Sequence, residues 1–291
     1  MQKGRKAIPE ARDRAQSRAL VWAAGLVLGG FCLPVIVLMT QPHHGGSYAV
    51  RAGLVSLTFG VVVWVLRAAT PPAAFCGAMI CLLVTFHTEA HGGMPEIHSG
   101  LVPLMGLFVL TFLATKAGKS RKVKAGLAES RKGRNAAQVI ANLGAAGLVA
   151  ALAAGSGNAV GFAALLGVLA EATADTVSSE IGQAFGGTPY LLTSLRRVEP
   201  GTDGAISLLG TAAGLCGAAI VVFVGVWSMA LPLQQGIAAF GGGVAGLFFD
   251  SVLGATVERR GWLGNDLVNF TSTVFAGAVA LGLAGLVTSA H

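Results

Sequence analysis

The segment Ala159 to Gly182, AVGFAALLGVLAEATADTVSSEIG, opens as an apolar run and then takes up Glu171, Asp175, Thr176, Ser178, Ser179 and Glu180. Beyond it, a Gly/Pro-rich stretch carries Arg196, Arg197, Glu199 and Asp203. The run is long enough to cross a bilayer, for which about 20 mainly apolar residues suffice. An acid at the centre of such a helix costs roughly 2.5–3.5 kcal/mol on insertion scales, so acids placed there mark a site. Arginines, glycines and hydroxyls in the same segment suit a magnesium-bound phosphate better than a packed core.

The rest of the chain has the same membrane character. Its 291 residues are 54% hydrophobic and 11% charged, with 42 glycines and a mean hydropathy of +0.70. A soluble domain carries about 25% charge, so the fold class is all-α, a polytopic transmembrane helix bundle. Hydropathy predicts about nine helices, near 19–40, 48–66, 71–88, 99–115, 136–154, 159–181, 205–227, 233–257 and 267–288. The first apolar run, Ala19 to Met39, is too long for the h-region of a signal peptide. Cys32, Cys76, Cys81 and Cys216 lie in apolar runs without CxxC spacing, and read as small buried hydrophobes. A net charge of +7 is what positive-inside topology and anionic headgroups demand, and nucleic acid is not implied.

Nine alternating helices with a cytoplasmic N-terminus put every lysine and arginine except Arg51 in the tail or in a cytoplasmic connection. These are Arg67, the 116–134 loop, Arg196/Arg197 and Arg259/Arg260. The same alternation brings Asp175, Glu180, Asp250 and Glu258 to the cytoplasmic face beside those cations. The chain then divides into a basic tail (1–18), N-terminal transmembrane helices (19–115) and a catalytic transmembrane region (116–291) that begins with the basic loop.

Within that region the loop holds Lys116, Lys119, Arg121, Lys122, Lys124, Arg131, Lys132 and Arg134 against the single acid Glu129. It reads equally as a lipid-hugging topology determinant and as a phosphate clamp. Arg134, Gln138 and Asn142 follow at i, i+4 and i+8, one polar stripe entering an apolar helix. Glu171, Asp175 and Ser179 stack on one face, whereas Asp175 and Glu180 lie about 140° apart. In PGTDGAISLLGT, Pro200 to Thr211, two turn dipeptides lead into a helix start whose N–H groups suit an anion. Asp250, Gly254 and Glu258 are spaced by four in DSVLGATVERRGW, and Asn265, Asp266 and Asn269 open the last helix. His43, His44, His87, His91 and His98 fall near the outer face, with His87 and His91 at helical spacing, and are left unassigned.

ADTVSSEIG, PGTDGAISLLGT, RNAAQVIAN (Arg134 to Asn142) and DSVLGATVERRGW with Asn265-Asp266 together resemble a family of polytopic membrane proteins whose characterised plant member is phytyl-phosphate kinase. The likeness covers about residues 105–291. Where relatives commonly carry Trp-Ala between the Asp-Thr and Ser-Glu pairs, this chain has Val177 and Ser178. The resemblance implies phosphorylation of an isoprenoid monophosphate to its diphosphate by a nucleoside triphosphate, CTP or ATP. It also implies a distant kinship with polyprenol kinases and CDP-lipid synthases, which use magnesium and cytoplasm-facing acids.

The expected site follows. Asp175, Glu180 and Asp250 form the catalytic and metal-binding set, holding Mg2+ with the triphosphate. Lys119, Arg121, Lys122, Arg134, Arg196, Arg197, Thr202, Asp203 and Ser207 bind phosphate and nucleotide. Asn135, Gln138, Asn142, Glu258, Asn265 and Asp266 orient the substrate, a prenyl or other lipid phosphate, with its tail between helices among membrane lipids. Phosphoryl transfer requires positioning and charge stabilisation more than a nucleophilic side chain. Two rival readings are cytidylyl transfer to a lipid phosphate and a proton-coupled carrier using Glu171 and Asp175.

Overall fold

The computed structural model describes residues 8–41, 44–88, 98–127, 133–153 and 158–289. Each of the nine hydropathy segments is a helix: α1 (Glu10–Leu38), α2 (His44–Val65), α3 (Pro71–His87), α4 (Leu101–Lys116), α6 (Ala136–Ala153), α7 (Ala159–Phe185), α8 (Leu208–Ser228), α9 (Leu233–Leu253) and α10 (Asn265–Ser289). A tenth, α5 (Lys119–Ala125), lies within the predicted basic loop. It continues α4 after a 57° bend. Its charge density hides it from a hydropathy scan, but nothing between the left-handed residues Gly118 and Gly126 breaks a helix. Among the described residues six helices are long and apolar enough to cross a membrane, seven if α4 and α5 count as one span, while α3 and α6 are shorter. Their outward faces carry Trp22, Leu26, Leu57, Trp64, Phe223 and Trp227, apolar groups that only lipid would cover.

Helix α7 is the axis of the bundle, buried over most of its length and packed on α4, α6, α8, α9 and α10. Between membrane helices lipid is as apolar as leucine, so close van der Waals approach replaces hydrophobic drive. Small residues supply it. A Cβ at Gly214 of α8 would stand 2.5 Å from the Ala174 carbonyl oxygen, and one at Gly242 of α9 equally close to that of Ala276. This is where the glycine content of the sequence goes.

Helix α1 starts at Glu10, nine residues before the apolar run, so residues 10–18 of the predicted tail are helical. Glu10 pairs with Arg14 across one turn. Gln16 Nε2 donates to the Trp262 carbonyl and Ser17 Oγ to Asp266 Oδ2 (2.6 Å), tying α1 to the α9–α10 connection. The basic residues Lys3, Arg5, Lys6, Arg131 and Lys132 lie outside the described residues, as do His43, His91 and Glu129. All four cysteines are free, and Cys216 is exposed on α8 rather than buried, since α8 turns its glycine edge inward.

Contacts between connections confirm the alternation read from charge. Arg134 N donates to Ala68 O and Thr70 N to Arg134 O, both at 2.9 Å, joining the α2–α3 and α5–α6 connections. Gly201 meets Leu127, and Gly204 meets Ser251 and Ala255. One end of the bundle therefore gathers the start of α1 with the segments that hold Arg67, Lys116 to Lys124, Arg134, Arg196/Arg197 and Arg259/Arg260. Arg51 belongs to the other end, where Tyr48 of the same α2 turn bonds the Thr85 carbonyl.

Candidate functional site

At the basic end, a polar cavity of about 300 Å³ opens between α6, α7, α9, α10 and the α7–α8 connection. Four stretches separated in sequence supply its walls, and local structure explains how each is held.

Asn135 and Gln138 start α6 with a reciprocal pair: Asn135 N donates to Gln138 Oε1 (2.9 Å) and Gln138 N to Asn135 Oδ1 (3.0 Å). This is a capping arrangement that satisfies orphan N–H groups. Asn135, expected to orient substrate, is therefore a cap outside the cavity lining, while Gln138, Asn142 and Arg134 do line it. Arg134, anchored through its backbone to Ala68 and Thr70, extends Nη2 to Thr176 Oγ1 (3.3 Å) and faces Asp175 electrostatically.

From α7 come Asp175, Thr176, Ser178, Ser179, Glu180 and Gln183. Asp175 is half-buried, and among the described residues no protein donor is hydrogen-bonded to its carboxylate. Glu180 has a different fate. It forms an ion pair with Lys122, whose ammonium also donates to Thr115 O at 2.9 Å and to Ala114 O at 3.4 Å. Lys122 is only 2% exposed, so this pair is an internal strut between the α4–α5 bend and α7.

The α7–α8 connection folds as a two-residue antiparallel ladder, Tyr190–Leu191 with Ala205–Ile206. Gly204 has a φ of +71° and sits so close to the end of α9 that a Cβ would lie 2.1 Å from Ala255 N. Opposite it, residues Gly254–Glu258 wind as a π-helical turn, a distortion frequent at functional sites. Thr202, Asp203 and Ser207 line the cavity, yet two of their hydroxyls have structural partners. Thr202 Oγ1 donates to Glu199 O (2.7 Å), and Ser207 Oγ caps α8 by accepting from Gly210 N (3.1 Å).

Asp250, Glu258, Asn265 and Asn269 close the ring. Asp250 is within electrostatic reach of Asp175 and Glu258. Ser272 Oγ lies 3.2 Å from Asp250 Oδ2 and 2.6 Å from Oε1 of the buried Glu171, and the Asn269 amide, once oriented with its nitrogen toward the carboxylate, donates to Asp250 Oδ2 at 3.3 Å. Asn269 and Ser272 were not among the expected site residues. The spacing of four between Asn265 and Asn269 was the available signal, and Ser272, three residues further on, continues that face within the run Thr271-Ser272-Thr273.

Asp266 takes its hydrogen bond from Ser17, away from the cavity. Arg121 and Arg197 are exposed, stacked over Phe185 at 5.0 Å and Tyr190 at 5.9 Å, and Arg196 is exposed beside them. Lys119 and Lys122 face a second cavity. So the carboxylates, the α6 stripe and the glycine-rich connection meet, and most of the expected phosphate-binding cations flank the cavity rather than line it.

Comparison with known proteins settles the family. A model of the integral membrane protein family DUF92 matches residues 54–277. The chain belongs to that family. The match begins inside α2, so the likeness reaches further toward the N-terminus than the motifs alone implied. This DUF92 chain is 33% identical over 273 residues to Protein VTE6, chloroplastic, of Arabidopsis thaliana, covering 89% of this chain and 78% of that protein. It is also 33% identical to the membrane protein MJ0933 of Methanocaldococcus jannaschii over 181 residues, 62% of this chain and 74% of that one. The membrane protein sll0875 of Synechocystis sp. is likewise 33% identical over 199 residues, 63% and 73% of the two chains. No solved structure matches it.

Among the described residues no three His, Cys, Asp or Glu side chains form a ready-made cage. Mg2+ does not require one, since it is commonly held by one or two carboxylates with phosphate oxygens and water. Asp175, with no protein donor on its carboxylate, and neighbouring Asp250 fit that mode. Glu180, committed to Lys122, does not.

Proposed function

We propose that this protein is a membrane-embedded phosphotransferase that converts a prenyl-type lipid monophosphate to its diphosphate at the expense of a nucleoside triphosphate. A terminal oxygen of the lipid phosphate attacks the γ-phosphorus, the β–γ bridging P–O bond breaks, and lipid diphosphate and nucleoside diphosphate leave. The observation that carries the reading is the convergence of Arg134, Asp175, Asp203, Asp250 and Glu258, from four separate stretches, on one polar cavity at the cationic end. The resemblance of the same motifs to the phytyl-phosphate kinase family supplies the reaction class.

In this reading Asp175 and Asp250 hold Mg2+, which neutralises charge on the triphosphate when bound. Arg134 steadies phosphate oxygens from the opposite wall, and Gln138 and Asn142 lie on the same stripe to orient them. Glu258 and Asn265 take the nucleoside end, beside the π-turn that Gly204 packs against. CTP and ATP both satisfy this arrangement.

Purified protein incubated with prenyl monophosphates, Mg2+ and γ-labelled CTP or ATP is expected to yield labelled lipid diphosphate. Release of pyrophosphate with a CDP-lipid would make it a cytidylyltransferase instead. Absence of turnover, with solute flux in proteoliposomes lacking nucleotide, would make it a carrier.

The cavity opens to the cytoplasm in this proposal. Ser194 is exposed in the α7–α8 connection. A Ser194→Cys variant is expected to resist a membrane-impermeant maleimide in intact cells and to react in inverted vesicles. Labelling in intact cells would reverse the orientation.

A further inference from the structure

A second cavity, of about 340 Å³, lies between α2, α3, α4 and α6. Its walls are apolar, with Phe59, Gly77, Leu104, Leu107, Phe108 and Leu143 among the lining residues. Its rim is cationic. Arg67, Lys116, Lys119, Lys122 and Arg134 all line it, and among the described residues no acidic one does.

Three features define what fits. First, the lining residues of α4 run from Leu104 to Lys116, about 18 Å at 1.5 Å per residue. That is close to the depth of one leaflet, half of a hydrocarbon core about 30 Å thick. Second, the cations gather at the basic end alone. Arg67 sits there in left-handed backbone geometry (φ 55°), a conformation costly for a non-glycine residue. The adjacent Ala68 is bonded to Arg134 N, which fixes the two arginines side by side. The exposed Arg67, Lys116 and Lys119 side chains make this end of the cavity attractive to an anion. Third, this cavity and the acidic one share a wall. Arg134 lines both, while Lys122 lines the apolar one and its partner Glu180 the acidic one.

We propose that the apolar cavity holds the hydrocarbon tail of a single-chain lipid monophosphate, with its phosphate clamped by Arg67, Lys119 and Arg134 against the partition shared with the acidic cavity. The inference rests on the phosphotransferase reading for its meaning: acceptor and donor approach Arg134 from opposite sides, and the phosphoryl group crosses between them. Binding, however, is measured without nucleotide, so loss of either idea is visible separately.

The test uses the full chain in an uncharged detergent, with hexadecyl phosphate, octyl phosphate and hexadecanol as probes in native mass spectrometry and calorimetry. A Cβ at Gly77 would meet only Phe59 Cε1, at 3.6 Å, so the longer side chain of Gly77→Leu grows into the cavity. That variant is expected to reduce the preference for hexadecyl over octyl phosphate at least tenfold, because each buried methylene adds affinity. The exposed Arg67 can be changed without touching the core. Arg67→Gln is expected to weaken both alkyl phosphates about tenfold and to leave hexadecanol unchanged. An unaltered tail preference in a folded Gly77→Leu protein would overturn the tail assignment. Hexadecanol binding as tightly as hexadecyl phosphate, with Arg67→Gln silent, would overturn the headgroup clamp. Normal binding with no turnover in any nucleotide would leave this site standing and remove the kinase reading.

Discussion

Asp175→Asn is expected to lower turnover at least about 1,000-fold, roughly 4 kcal/mol of transition-state stabilisation, while the protein inserts and unfolds as the wild type does. The expectation depends on what the carboxylate does not do. Among the described residues no hydrogen bond holds it, and its cationic neighbour is Arg134, which keeps its contact with Thr176 Oγ1 when the charge is lost. An isosteric amide therefore removes charge without removing a strut. What it loses is the capacity to hold a divalent cation against the triphosphate. Asp250→Asn makes a useful companion, since Asp250 lies next to Ser272 and Asn269 as well as the cavity. It should combine a comparable loss of turnover with a measurable fall in thermal stability. The check is product formation from a prenyl monophosphate, Mg2+ and labelled triphosphate, beside unfolding temperatures in the same detergent. Full turnover by a well-folded Asp175→Asn protein would displace this residue from the centre of the site.

The bundle and the address of the site were legible in the sequence because both rest on strong one-dimensional signals. Apolar runs have the length of a membrane, and basic residues fall on alternate connections, so charge pattern alone puts the acids of α7 and α9 at one end. The division of labour among the charged residues was not legible. Glu180 and Asp175 are equivalent as letters, five apart, but their directions differ, and only α5 behind Glu180 gives it a lysine. That helix itself was hidden, since seven residues with four cations have no hydropathy signal. Asn135 and Ser207 looked like ligand groups because the hydroxyls and amides that bind phosphate also cap helices. Ser272 escaped notice because it sits in the hydroxyl run Thr271-Ser272-Thr273, where nothing singles it out until Glu171 and Asp250 are seen on either side of it.

Lys122→Met is expected to be the most damaging substitution for folding. Its ammonium donates to the Thr115 and Ala114 carbonyls at the end of α4 and faces Glu180 inside the protein, so removal strands a carboxylate in a poorly hydrated place. Breaking one side of a buried ion pair costs about 3–5 kcal/mol, a large share of the roughly 5–15 kcal/mol that holds a typical domain together. Glu180→Gln alone should cost less, because the amide oxygen still accepts from Lys122 and the lysine keeps its two carbonyl acceptors. The double variant Lys122→Met/Glu180→Gln carries no stranded charge and should recover much of the stability lost in Lys122→Met. A double-mutant cycle on unfolding in detergent measures that coupling, and values above about 1 kcal/mol are diagnostic of direct interaction. Function supplies the second readout. The strut lies in the partition between the acidic and apolar cavities, so the rescued double variant should fold and bind nucleotide but transfer phosphate poorly. Wild-type transfer by that variant would show that the partition holds the helices together and takes no part in the chemistry.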